Sequence, residues 1–131
     1  MLRIGVIGAG QIGSAIAKAL ASSGRYQVMA SRRNIERIKH LERLGVRLTR
    51  DNRLVAESSE VVFLAVKPHK VAEVLREIAD LLEGKLLISV AAATPISKIA
   101  SLAPKAKIIR AMPNVGLIVK ASFTAYAKGP N

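Results

Sequence analysis

Short apolar runs alternate with amphipathic stretches along the whole chain. Leu2–Ile7 is the first run and reads as a buried strand. A glycine-rich turn follows, and Gln11–Ser22 then reads as a helix. Its core-facing stripe is predicted at Ile12, Ala15, Ile16, Ala19 and Leu20, and Ser23-Gly24 ends it. Gln27–Ala30 is a second strand. Asn34 is placed to cap a helix that runs to about Leu44 and stops at Gly45. Val46–Leu48 is a short third strand, and Asp51 or Asn52 caps a brief helix through Glu57.

Glu60–Val66 is the fourth strand. Val61 to Ala65 are apolar without alternation, which predicts burial on both faces of a sheet. Pro68 suits the first turn of the next helix, which runs to about Leu82 with a buried stripe at Val71, Val74, Leu75, Ile78, Leu81 and Leu82. Lys85–Val90 is strand five. Thr94 and Pro95 open a short helix to about Leu102, Ala106–Ala111 is strand six, and Ser122–Ala127 adds one more strand before the loop Lys128-Gly129-Pro130-Asn131. Alternation of this kind implies right-handed crossovers. The predicted class is α/β, a Rossmann-like doubly wound, mostly parallel sheet with helices on both faces, and residues 1–131 form a single domain of that type.

The turn after the first strand reads Gly8-Ala9-Gly10-Gln11-Ile12-Gly13, a Gly-x-Gly-x-x-Gly between strand and helix. In that setting it is the dinucleotide-binding fingerprint. Gly8 permits the tight turn, Gly10 lets the backbone approach a pyrophosphate, and Gly13 lets the helix pack closely on the strand. The phosphates meet a helix N-terminus, where free N–H groups and the macrodipole favour negative charge. An NAD site places Asp or Glu at the end of the second strand to accept from the ribose 2′-OH. This chain has Ser31-Arg32-Arg33 there. A carboxylate repels a 2′-phosphate, whereas a hydroxyl and guanidinium groups hold one. The residues favour NADP(H) over NAD(H).

Half the residues are apolar, enough for a core, and the four aromatics are Tyr26, Phe63, Phe123 and Tyr126. Without cysteine there is no disulfide, thiolate catalysis or Cys-ligated zinc, and His40 and His69 lie in separate segments, so no metal site is expected. No apolar run reaches membrane-spanning length. The N-terminus lacks the basic lead and small-residue cleavage site of a signal peptide, so a soluble, cytoplasmic protein is expected. The net charge is +12, with arginine and lysine concentrated between Arg32 and Arg53, and no Asp or Glu follows Gly84. That charge suits nucleic-acid contacts, attraction of a polyanionic cofactor, or a chain whose acidic counterpart lies in another part of a larger protein. The scarcity of aromatics for base stacking argues against nucleic acid as the main partner.

Four segments carry a family resemblance. They are Val6–Gly13, Gly45–Asn52, Val62–His69 (Val-Phe-Leu-Ala-Val-Lys-Pro-His) and Ile109–Asn114 (Ile-Arg-Ala-Met-Pro-Asn). In this order and spacing the chain resembles the N-terminal domain of pyrroline-5-carboxylate reductases, which reduce 1-pyrroline-5-carboxylate to L-proline with NAD(P)H in proline biosynthesis. The resemblance implies that Gly8, Ala9, Gly10, Gln11 and Ile12 surround the pyrophosphate. Ser31 and Arg32 face the 2′-phosphate with Arg33 close by, and Asn52 lies on the adenosine side. The resemblance also implies contacts from Ala65, Val66, Lys67 and Pro68, which leave strand four at its carboxyl end where ligands of open α/β sheets bind, and from Ala91 and Ala92, which leave strand five near the nicotinamide. His69, at a helix start, is read as structural, and no catalytic residue is assigned.

The resemblance also implies a longer protein. Relatives carry a second, helical domain that builds a homodimer and supplies most of the cyclic-imine site. This chain is expected to lack that domain, to bind cofactor, and to reduce substrate poorly or not at all alone. Ala93 replaces the glycine usual after strand five, and is expected to crowd the cofactor or to demand φ below zero. Val115-Gly116 and Lys120-Ala121-Ser122-Phe123 also depart from the family pattern and leave substrate identity open. Two other readings stand beside this one. The first is an NADP-dependent dehydrogenase of another substrate, of β-hydroxyacid or deazaflavin type. The second is a non-enzymatic nucleotide-sensing or nucleic-acid-binding domain.

Overall fold

The computed structural model describes residues 1–111. The strand expected at Ser122–Ala127, the Met112-Pro113-Asn114 segment and the departures from Val115 onward lie outside the described residues. Six strands form one sheet: β1 (Leu2–Ile7), β2 (Tyr26–Ser31), β3 (Arg47–Thr49), β4 (Val61–Leu64), β5 (Leu86–Ser89) and β6 (Lys107–Arg110). Their order is β3-β2-β1-β4-β5-β6, and every neighbouring pair is parallel. The order reverses between β1 and β4, which is the switch point where ligands of open α/β sheets bind.

Strand alternation sorts the core into two layers. Val28, Ile4, Val6, Phe63 and Ile88 face one side, where they meet Ile16, Ala17 and Leu20 of α1 (Gln11–Ser22) and Ile38 and Leu41 of the following segment. Met29, Ile7, Val62, Leu64 and Leu87 face the other side. There they meet α2 (Asn52–Ser58), α3 (Val71–Ile78) and α4 (Ile96–Leu102). All four β4 residues are buried, as an unbroken apolar run under helices on both faces requires.

Gly5 in the middle of β1 has a packing role that the sequence did not announce. A Cβ there would collide with the Val55 and Ser59 side chains of the α2 segment. α2 is fastened at both ends. Asp51 is its N-cap, accepting from the amides of Arg53 and Leu54, so Asn52 is not the cap. At the other end the Lys85 ammonium donates to the carbonyls of Ala56 and Glu57, and partial burial pulls its pKa below the usual lysine value.

Several expected helices differ in form. Ile35–Leu44 winds as a 3₁₀ helix, because its apolar residues recur every third position (Ile35, Ile38, Leu41, Leu44) and three-residue turns put them on one row. The stretch after Pro68 is not one continuous helix. A 3₁₀ turn at Pro68–Lys70 precedes α3 and another, Ala79–Leu81, follows it; Val71, Val74, Leu75, Ile78 and Leu82 are buried as expected, whereas Leu81 is only partly buried. The predicted strand ends are trimmed at Glu60, Ala65 and Val66, which lie outside β4, and Pro95 is the N-cap of α4. In α1 the buried residues are Gly13, Ile16, Ala17 and Leu20, and Ile12 stands 39% exposed. Ile12 belongs to the cleft described next, not to the core.

Candidate functional site

Every strand delivers a residue to the same edge of the sheet. Gly8 follows β1, Ser31 ends β2, Arg50 follows β3, Ala65 follows β4, Val90 follows β5 and Arg110 ends β6. Two recesses open there, on either side of the glycine turn, and Val66 lines both.

The turn itself is held tightly. The Gly8 and Ala9 amides both donate to the Ser31 carbonyl (3.2 and 2.9 Å), and the Gly10 amide donates to Gly8 (2.7 Å). Ser14 Oγ and Arg32 Nη1 both donate to the Ala9 carbonyl, at 2.8 and 3.1 Å. Two of the three fingerprint glycines are required by the protein's own atoms. Gly8 has φ +87°, and a Cβ on it would stand 2.6 Å from Val66 Cγ1; a Cβ on Gly13 would stand 2.5 Å from the Gly8 carbonyl oxygen.

Gly10 is different. Its φ of −75° suits any residue, and no described atom beyond its chain neighbours lies within 4 Å of where its Cβ would be. No described residue needs that glycine, so the space in front of it fits a group that must touch the backbone. It stands at the N-terminus of α1, where no side chain caps the helix and the first turn carries no acid. The first-turn N–H groups have no intrahelical acceptors and the dipole is positive there, so the group that fits is an anion.

The first recess, about 610 Å³, has Ser31 and Asn52 in its wall and Arg32, Arg33 and Arg50 on its rim, with Glu73 and Glu77 of α3 opposite. Ser31 is buried and its hydroxyl donates to Asn52 Oδ1 at 2.6 Å; Asn52 Nδ2 donates to Glu77 Oε1 at 3.0 Å. Arg50 Nε donates to the Arg33 carbonyl at 3.2 Å. Arg33 and Arg50 are exposed, while Arg32 is half-buried against the glycine turn.

The second recess, about 530 Å³, is lined by Gly10, Gln11 and Ile12 on one side, by Ala65 through Pro68 below, and by Val90 through Ala93 opposite, with Arg110 at its edge. Its walls are mostly small and apolar, which suits a flat ring. Ala93 does not avoid positive φ as its Cβ would prefer; it sits at φ +52°. The turn dictates that conformation, and the residue carries the strain. His69 lies in the exposed first turn after Pro68.

The structure brings the expected cofactor-binding residues together around these two recesses or the turn between them; His69 lines neither recess, and the residues singled out from Met112 onward lie outside the described residues. The structure adds Arg50, Glu77 and Arg110, which sequence reasoning had left out of the site. Arg50 and Arg110 stood in stretches already noted, the basic region and the Ile-Arg-Ala-Met-Pro-Asn segment, but only strand order shows which edge they reach. Glu73 and Glu77 are four apart, opposite the buried stripe of α3, and that spacing is visible in the sequence.

The family described as NADP oxidoreductase, coenzyme F420-dependent, matches residues 3–93. The chain belongs to that family. Among curated relatives, it is similar to pyrroline-5-carboxylate reductase 2 of Pongo abelii, 37% identical across 98% of this chain and 43% of the relative. Among solved structures, it is similar to a pyrroline-5-carboxylate reductase from Coxiella burnetii, with TM-score 0.79 and 34% identity over 85% of this chain and 43% of that one. It is also similar to the pyrroline carboxylate reductase of Plasmodium falciparum with NADP bound, with TM-score 0.73 and 27% identity over 90% of this chain and 44% of that one. The resemblance read from the four sequence segments thus extends over nearly the whole chain. The chain spans less than half the length of these relatives. Among the described residues no helix is long and apolar enough to cross a membrane.

Proposed function

We propose that the chain is the NADP(H)-binding part of a reductase of the pyrroline-5-carboxylate type, acting on a cyclic imine. The observation that carries this reading is Gly10, a glycine with an ordinary φ whose missing side chain would meet no described residue and whose place opens an anion-binding helix end. In this reading the pyrophosphate lies on Gly8 through Gly13. The adenosine end occupies the recess of Ser31, Arg32, Arg33 and Asn52, and the nicotinamide lies between Ile12, the Ala65–Pro68 turn and Ala91-Ala92.

When bound, the dinucleotide supplies the hydride for the C=N bond. The chain's own residues bind and orient it. The α1 N-terminus holds the diphosphate charge, and the guanidinium groups of the rim meet a 2′-phosphate. The small residues Ala65, Ala91 and Ala92 leave one ring face close to the backbone. β2 ends at Ser31 and leads into Arg32-Arg33, with no carboxylate of its own; the carboxylates that line this recess, Glu73 and Glu77, belong to α3.

An acceptor carbon must also be fixed at near-attack distance from the ring. The relatives devote more than half of their length to other parts, and the substrate-positioning residues and the dimer contacts belong there in this reading. A spectrophotometric assay of NADPH oxidation with 1-pyrroline-5-carboxylate tests this division. The 131-residue chain should bind NADPH saturably and turn over little or no substrate; robust turnover by the chain alone contradicts it.

A further inference from the structure

Asn52 and Glu77 come from different connections, the first turn of α2 and the last turn of α3, and they meet in the wall of the arginine-rimmed recess. A carboxylate only accepts hydrogen bonds. Its contact with Asn52 Nδ2 at 3.0 Å therefore fixes which end of the amide is nitrogen. Asn52 Oδ1 is left to Ser31, whose hydroxyl donates to it at 2.6 Å. The chain of bonds runs one way, from Ser31 to Asn52 to Glu77, and the carboxylate sets its direction.

The neighbouring residue holds the partner in place. Arg53 Nη1 donates to the Glu77 backbone carbonyl at 2.7 Å, and its two Nη atoms grip both Asp80 carboxylate oxygens at 2.8 and 3.0 Å. Adjacent residues of α2 thus clamp α3 at two points, and the Glu77 carboxylate is presented to Asn52 in register. Glu77 is exposed on α3, a place where substitution ordinarily changes little.

We propose that Glu77 is a positioning residue for the adenosine end of the dinucleotide. It locks Asn52 in one of its two amide orientations, so that the same edge of the amide always meets the ribose and its phosphate. Without the carboxylate, a half-turn of the amide lets Nδ2 donate to Ser31 instead, and the pattern offered to the ligand inverts. The proposal rests on the cofactor reading above.

Calorimetric titration of ADP and of adenosine 2′,5′-bisphosphate into the full chain reads this end of the site without the nicotinamide. Glu77→Ala should weaken both ligands by about tenfold, the size of one hydrogen bond to a charged or well-placed group, with an unchanged Tm. Glu77→Gln can turn either end of its amide toward Asn52, no longer fixes the direction, and should weaken both ligands too, though by less than Glu77→Ala. In a double-mutant cycle, Glu77→Ala should add almost nothing to Asn52→Ala. Binding by Glu77→Ala equal to wild type overturns the proposal. So does a loss that adds in full to Asn52→Ala, or a Glu77→Gln variant that binds both ligands as tightly as wild type. A wild-type chain that binds neither ligand overturns the cofactor reading itself, a result distinct from any of these.

Discussion

Arg50 donates from Nε to the main-chain carbonyl of Arg33 across 3.2 Å. The bond joins the loop after β3 to the loop after β2, and it leaves the terminal nitrogens of Arg50 on the rim that Arg33 shares. Arg50→Ala should therefore weaken NADPH binding by about tenfold, roughly 1.4 kcal/mol, and leave NADH within about twofold. Fluorescence titration of both cofactors checks this. The NADPH advantage should shrink as salt is raised, because the rim is exposed and screened.

The fingerprint glycines separate folding from binding. Gly13→Ala forces a methyl to 2.5 Å from the Gly8 carbonyl oxygen and should destabilise the chain by about 1–3 kcal/mol in denaturant unfolding. Gly10→Ala places its methyl in open space. That variant should unfold like the wild type and bind NADPH at least about tenfold more weakly.

Ala93 holds φ +52°, a conformation that costs an L-residue with a Cβ about 1 kcal/mol. Ala93→Gly should raise stability by up to about 0.5 kcal/mol, because glycine's greater chain entropy offsets part of the relieved strain. Equilibrium unfolding in urea measures it, and a fall in stability goes against the strain assignment.

Arg53 sets a pH dependence. Its hydrogen bond to Asp80 holds that carboxyl below the ordinary Asp value. A folded-state pKa below the unfolded one contributes stability above the unfolded value, and that contribution is lost as pH falls through the folded value. Arg53→Met should thus be less stable than wild type at neutral pH, and the difference should narrow under acid below the folded Asp80 value to what the bond to the Glu77 carbonyl contributes. Unfolding curves recorded across that range check it.

Much of this was legible in the residues, for physical reasons that differ from element to element. The Val61–Leu64 run has no alternation because both sheet faces are covered, so its place in the middle of the sheet could be read directly. The row Ile35, Ile38, Leu41, Leu44 also held the answer to its own geometry. A period of three is nearer to a 3₁₀ helix than to an α-helix, and the charged residues between blurred it into an ordinary helical pattern. Arg50 was not legible as a site residue. It reaches the recess only because β3 pairs with β2 in the register Ser31↔Thr49, and strand order is a property of the whole sheet. The Ser31–Asn52–Glu77 chain joins three separate connections, so no local pattern announces it.

The cleft is proposed to take a dinucleotide and to prefer the one with a 2′-phosphate. Calorimetry of the chain with NADPH and with NADH under identical buffer and salt tests it most directly. One-site binding is expected, with NADPH the tighter ligand by about tenfold or more. Absence of NADPH binding, or tighter binding of NADH, contradicts it.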